Sequence, residues 1–112
     1  MPVTHLNDQD FDQSLNNFEG TVLIDFWAPW CAPCRAMSGI VDDVAGELGE
    51  SANVVKANVD ESPSAAEKFG VQSIPTFVDV QDGSEPATVL ADLGRWSRVC
   101  HWKYLCSVQH VR

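Results

Sequence analysis

Basic residues are scarce in this chain. Seven Lys and Arg stand against 16 Asp and Glu, for a formal net charge of −9 over 112 residues. That balance argues against a phosphate backbone or an anionic membrane surface as the main partner, and is otherwise a solubility feature. No run of about 18 apolar residues exists, so no membrane-spanning helix is expected. The opening residues, MPVTHLNDQD, have neither the basic start nor the apolar core of a signal peptide, and a cytoplasmic protein is the simpler expectation. There is no GxGxxG and no phosphate loop, so no nucleotide cofactor is expected to be bound. Repeats, linkers and low-complexity segments are absent too. With 45% apolar residues, the expectation is one globular domain over residues 1–112.

The charge is uneven. All 16 acidic residues lie within 1–94, opposed there by only Arg35, Lys56 and Lys68, whereas 95–112 carry Arg95, Arg98, Lys103, Arg112 and no acid. The composition therefore changes near Gly94. Cysteine is sparse: Cys31 and Cys34 form the one close pair, while Cys100 and Cys106 lie far along the chain. In a reducing compartment a purely structural cross-link is disfavoured, and a loop as small as 31–34 constrains the unfolded chain little.

What is present is strongly patterned. Val3 to His5 suits a short strand, and Asn7 or Asp8 can cap a helix with Phe11, Leu15 and Phe18 on its apolar face. TVLIDFW, 21–27, is a nearly continuous β-prone run, expected as a strand buried on both faces, with Asp25 its one acid. Met37, Ile40, Val41, Val44 and Leu48 recur at spacings of three and four, which predicts an amphipathic helix from about Cys34 to Glu50. Asn53 to Val59 reads as another buried strand. Ser62-Pro63 reads as an N-cap with proline at the first helical position, opening a helix that runs to Phe69 and stops at Gly70. Thr76 to Val80 is a strand, Asp82-Gly83 a hairpin turn, and Thr88 to Leu93 the antiparallel return. Ser97 can cap a last helix with Val99, Trp102, Leu105 or Cys106, and Val108 or Gln109 along one side. The order βαβαβαββα implies an α/β fold: a central mixed sheet of about five strands with helices on both faces.

The segment WAPWCAPCR, 27–35, joins a strand to a helix start. Free N–H groups and the helix dipole favour an anion there, so the Cys31 thiol is expected to be more acidic than an ordinary one. Cys34, one turn further in, falls on the buried side, and Pro33 stiffens the turn. The two sulfurs can close a small ring without moving the rest of the fold. Trp27 suits packing. Trp30, in a polar loop, is expected partly exposed. Ala32 and Pro33 beside it, and Ile74, Pro75, Leu93 and Gly94 further along the chain, are the other candidates for a small apolar surface patch on an otherwise acidic molecule.

A Cys-x-x-Cys alone is shared with zinc ribbons and haem sites. Here it follows LIDF, has Trp before it, and is succeeded some forty residues on by Ile-Pro-Thr. In this setting WAPWCAPCR resembles the active-site stretch of the thioredoxin family, whose usual form is WCGPC. VVKANVDES, FGVQSIPTF and DGSEP are similar to that family's third strand, its cis-proline segment and its last hairpin turn, so the resemblance spans about residues 3–94. It implies the thioredoxin fold and a protein-disulfide reductase working through a Cys31–Cys34 dithiol–disulfide cycle. Asp25 matches the buried aspartate that takes the proton of the resolving thiol, and Lys56 that aspartate's lysine neighbour. Ile74–Pro75 is expected to be cis and packed beside the cysteines, leaving the Ile74 backbone free to pair with an extended client. No cofactor or metal would be bound. Electrons would come from an NADPH-dependent thioredoxin reductase, and the protein would act as a monomer.

Three features depart from that pattern. Ala32 replaces a glycine. Gly39 stands where the family usually has a helix-kinking proline. Residues 95–112 resemble no family ending beyond a glycine, a capping serine and amphipathic spacing. Cys100 and Cys106 are about 240° apart on a helix and would not face each other; they are expected to be small apolar residues or inert thiols. Two other functions compete with the reductase. One is a metal site joining Cys31 and Cys34 to two of Cys100, His101 and Cys106, against which Pro33 and the helix start argue. The other is a redox-inactive thioredoxin-like binding or assembly module. An oxidant or isomerase would use the same dithiol in the other direction.

Overall fold

The computed structural model describes residues 3–17, 21–48, 52–80 and 107–111. In chain order these form β1 (Val3–Leu6), α1 (Phe11–Asn17), β2 (Thr21–Trp27), α2 (Ala32–Leu48), β3 (Ala52–Asn58), α3 (Pro63–Lys68), β4 (Thr76–Val80) and β5 (Ser107–Val111). The strands make one sheet in the order β1-β3-β2-β4-β5. β3 runs parallel to both β1 and β2, and β4 pairs antiparallel with β2, so the sheet is mixed as expected.

β2 is the axis of the molecule. Six of its seven residues are buried, because neighbours flank both of its edges and helices cover both of its faces. Leu23 packs with Met37, Val41, Val44 and Ala45 of α2 and with Val54 and Phe77. On the other face Val22, Ile24 and Phe26 meet Phe11 of α1 and Ala65 of α3. Phe11, Phe26 and Phe69 form an aromatic triangle there, with centroids 5.9 to 6.3 Å apart. Strand alternation thus divides β2 between two cores, and Asp25 shares the α2 side with Leu23.

Local chemistry differs from expectation at three places. α2 begins at Ala32, two residues before the expected start, because Cys31 itself occupies the capping position and Pro33 sits in the first turn, where no N–H is needed. Ser62 does not cap α3 with its side chain; its hydroxyl donates to the Leu6 carbonyl at 3.3 Å. The cap comes from Asp8, whose carboxylate accepts the N–H groups of Ser64 and Ala65 at 3.1 and 3.2 Å. Asp8 therefore serves α3 rather than α1. Ahead of α1, Asn7 Oδ1 accepts from the Gln9 N–H, and Asp10 Oδ1 accepts from the Asn7 N–H, both at 2.9 Å. α3 ends as predicted, with Gly70 at a φ of 66°.

The third difference is the chain's end. The expected last helix reached Val108 or Gln109, but 107–111 form β5, parallel to β4 from Thr76↔Ser107 to Val80↔Val111. β4 is buried along four of its five residues, and its outer edge carries peptide groups that must find partners. Strand pairing at that edge supplies them, which a helix laid over the sheet would not. With β2 on one edge and β5 on the other, β4 has no edge left for the antiparallel pairing expected of Thr88 to Leu93. The Asp82-Gly83 turn, residues 88–93 themselves, Trp102, Leu105, Cys100 and Cys106 lie outside the described residues. Among the described residues no helix is long and apolar enough to cross a membrane.

Candidate active site

β2 ends at Trp27, and a tight loop carries the chain to α2. The Cys31 N–H donates to the Ala28 carbonyl at 3.1 Å, and the Cys31 carbonyl accepts the Arg35 N–H at 3.1 Å, the first bond of the helix. Cys31 is thus the residue at the helix mouth. Its Sγ accepts the Cys34 N–H at 3.2 Å, a donor that helix geometry otherwise leaves free. Cys31 and Cys34 form a disulfide, with Cα atoms 5.2 Å apart. Both are buried in a cluster with Ala28, and Trp27, Val59 and Ile74 pack against it.

The Ile74–Pro75 peptide is cis, as the family resemblance implies. It brings the Ile74 carbonyl oxygen to 3.9 Å from Cys31 Sγ. A disulfide sulfur has no proton to donate, so this is an approach and not a hydrogen bond. Pro75 is buried and Ile74 half-buried, while Ala32 and Pro33 are exposed. Trp30 is 66% exposed, the one large hydrophobic side chain among the described residues to stand out this far. Its indole N–H donates to Asp60 Oδ2 at 3.0 Å, which fixes the ring over an open groove of ≈ 340 Å³ lined by Val59, Ala66, Val71 and Ile74. Trp30 and Ile74 therefore share one groove, and Ile74 packs against the two cysteines that Ala32 and Pro33 separate in the chain. Leu93 and Gly94 lie outside the described residues.

Behind Cys34 is a second cavity, of ≈ 380 Å³, lined by His5, Asp25, Cys34, Arg35, Ser38 and Lys56. Asp25 is 4% exposed, and its Oδ1 finds no hydrogen-bond partner. Burial pushes its carboxyl up from 3.8 to about 7; the Lys56 ammonium opposes that rise and the Asp42 carboxylate adds to it. Asp25 and Lys56 sit opposite each other in the β2–β3 register. The Lys56 ammonium, however, donates to Ser38 Oγ at 3.1 Å and lies 3.8 Å from Asp42 Oδ1. Lys56 is thus Asp25's neighbour across the strands but bonds to α2. Sequence reasoning did not single out Ser38, Asp42, His5 or Asp60. A signal for two of them was present: Ser38 and Asp42 follow Cys34 at successive spacings of four, the repeat of one helix flank.

Such a site can store two electrons as a dithiol and give them up as a disulfide, with a carboxyl of near-neutral affinity close by to take a proton. The family model for thioredoxin matches residues 2–94. The chain is 43% identical to the thioredoxin of Pyropia yezoensis over 90 residues, 80% of this chain and 84% of that protein. It is 40% identical to the thioredoxin of Haemophilus influenzae over 91 residues, 81% and 85% of the two chains. It is 41% identical to a chloroplastic M-type thioredoxin of Chlamydomonas reinhardtii over 85 residues, 76% and 61% of the two chains. A WCxxC disulfide at a helix mouth, the mixed sheet beneath it and these matches have one meaning: this chain belongs to the thioredoxin family and is a protein thiol–disulfide oxidoreductase.

Proposed function

We propose that the reduced protein transfers two electrons to disulfides of client proteins, with Cys31 as nucleophile and Cys34 as resolving thiol. The Cys31 thiolate attacks a client sulfur and forms a mixed disulfide, and the first client sulfur leaves as a thiolate that takes a proton from water. Asp25 accepts the Cys34 proton. The Cys34 thiolate then attacks Cys31 Sγ, the second client thiolate departs, and the Cys31–Cys34 disulfide remains. One observation carries the assignment of roles: the Cys34 N–H rests on Cys31 Sγ at the mouth of α2, a donor and dipole arrangement that favours negative charge on that sulfur.

Asp25, at about 7, is a competent acceptor only when ionised. Resolution should therefore accelerate as pH rises through about 7. Lys56, opposing the rise in Asp25, keeps that step within reach of neutral pH. Client segments would dock over Trp30, Ala32, Pro33, Ile74 and Pro75, with Leu93 and Gly94 completing the patch, and pair with the Ile74 backbone as an added strand. The protein would work as a single-domain, cytoplasmic monomer without bound metal or cofactor, apart from membranes and nucleic acid. An NADPH-dependent thioredoxin reductase would recycle it.

The test is a trap. With Cys34→Ser, clients should accumulate as mixed disulfides on Cys31, releasable by dithiothreitol. Absence of such adducts would remove the exchange mechanism. Insulin reduction with dithiothreitol separates this reading from a redox-inactive binding module, which would give no acceleration.

A further inference from the structure

The cavity behind Cys34 holds an arrangement that the exchange steps do not explain. Asp25 and Lys56 are register partners on adjacent strands, yet the Lys56 ammonium spends its hydrogen bond on Ser38 Oγ, with Asp42 as its 3.8 Å ion-pair partner. Asp25 Oδ1 is left buried and unpartnered. We propose that Ser38 is a positioning residue for Asp25: by accepting the Lys56 hydrogen bond on the flank of α2, it holds that cation off the carboxyl.

The physical case is a competition for one ammonium. Lys56 is a largely buried residue with a flexible four-methylene stem, and Asp25 and Ser38 line the same cavity, so both lie along the wall its head group can search. A cation brought within about 4–6 Å of a carboxylate favours its ionised form. Ser38, reinforced by the solvent-facing Asp42, draws the charge outward, which suits a lysine whose head group is better hydrated near the surface. Asp25 then ionises only near neutral pH, and it accepts a thiol proton once ionised. The other groups facing Asp25 do not supply this control. His5 of β1 is exposed at the cavity wall, Arg35 of α2 is tied to the Pro29 carbonyl at 2.9 Å, and the β4 partner is Phe77, which is apolar.

The consequence for turnover rests on Asp25 accepting the Cys34 proton, but the positioning itself can be measured without a client. Asp25 is titrated by the ¹³C resonance of its carboxyl in the oxidised protein, with the His5 ring signals followed in the same samples as a report on the cavity wall. Ser38→Ala, which suits a helix, should lower the Asp25 midpoint, and Ser38→Thr, which keeps a hydroxyl, should restore it. Lys56→Met should raise it. In the Lys56→Met background, Ser38→Ala should have no further effect, because the cation it releases is gone. An unchanged midpoint in Ser38→Ala overturns the proposal, as does an equal fall in the Lys56→Met background, which would mean Ser38 acts on Asp25 directly. Resolution kinetics of Cys31 mixed disulfides report separately on Asp25: their pH profile should move down with the midpoint in Ser38→Ala. A moved midpoint with an unmoved profile would retain the positioning and reject the proton role.

Discussion

Asp25 concentrates the cost of function in one side chain. Its folded value of about 7 exceeds the unfolded 3.8, so between those values the folded state holds a proton that the unfolded state has released. Stability from this group is complete below 3.8, falls as pH rises, and is fully lost above about 7. The gap corresponds to on the order of 4 kcal/mol. Asp25→Asn cannot ionise, so at pH 8 it should unfold at higher urea concentration than the wild type, while at pH 4 the two should nearly coincide. Equal midpoints at pH 8 would mean that Asp25 is not strained by burial. The same variant should slow resolution by Cys34 on the order of 10²-fold and leave attack by Cys31 nearly unchanged. Asp25 was legible in the sequence because an acid inside a β-prone run must be paired, protonated or working. Ser38 was marked only by its spacing from Cys34, because a serine on a helix is ordinarily a solvent-facing residue. Only the placement of Lys56 across the cavity gives it a task.

Among the elements, α2 is the least settled by its own sequence. Gly39 and Gly46 are exposed on it, and a Cβ at either would meet nothing within 4 Å. Gly39→Ala should therefore raise stability by up to about 1 kcal/mol, read as a higher denaturation midpoint with insulin-reduction activity retained. A lowered midpoint would show that α2 needs its glycine. The opposite effect is expected at α3. Asp8 reaches across from the loop after β1 to cap it, so Asp8→Ala should cost about 1 kcal/mol although position 8 lies far from α3 in sequence. Hydrogen exchange at Ser64 and Ala65 localises that loss, and unchanged protection there would argue against the cap. The helix itself was readable from Ser62-Pro63 and Gly70. Its cap was not, since a contact between residues 8 and 64 exists only once β1 has joined β3.

For the molecule as a whole, the decisive contacts are strand pairings. β2 between β3 and β4 follows from a run apolar on both faces, which has no stable place at an edge. The outer neighbour of β4 did not follow: the Asp82-Gly83 turn points to residues 88–93 for that edge, whereas residues 107–111, which carry no unmistakable strand pattern and suit the end of a helix, take it. Deleting 107–112 should bare the β4 edge. Each ladder bond contributes about 0.5–1.5 kcal/mol, so a loss on the order of 3 kcal/mol is expected, with faster amide exchange along Thr76–Val80. An unaltered denaturation midpoint would show that β5 adds nothing to the sheet.

The identities that chemistry demands were written in the chain: two cysteines one helical turn apart, an acid in a buried strand, a proline after Ile74. Periodicity added the helices and central strands, since 3.6- and 2-residue repeats are properties of local geometry. The folded chain alone decided which partner each polar group took. Asp8 went to α3, the Lys56 ammonium to Ser38 and the β4 edge to β5, because such choices depend on distances between residues remote in sequence, and burial makes an unmatched group costly wherever it lies.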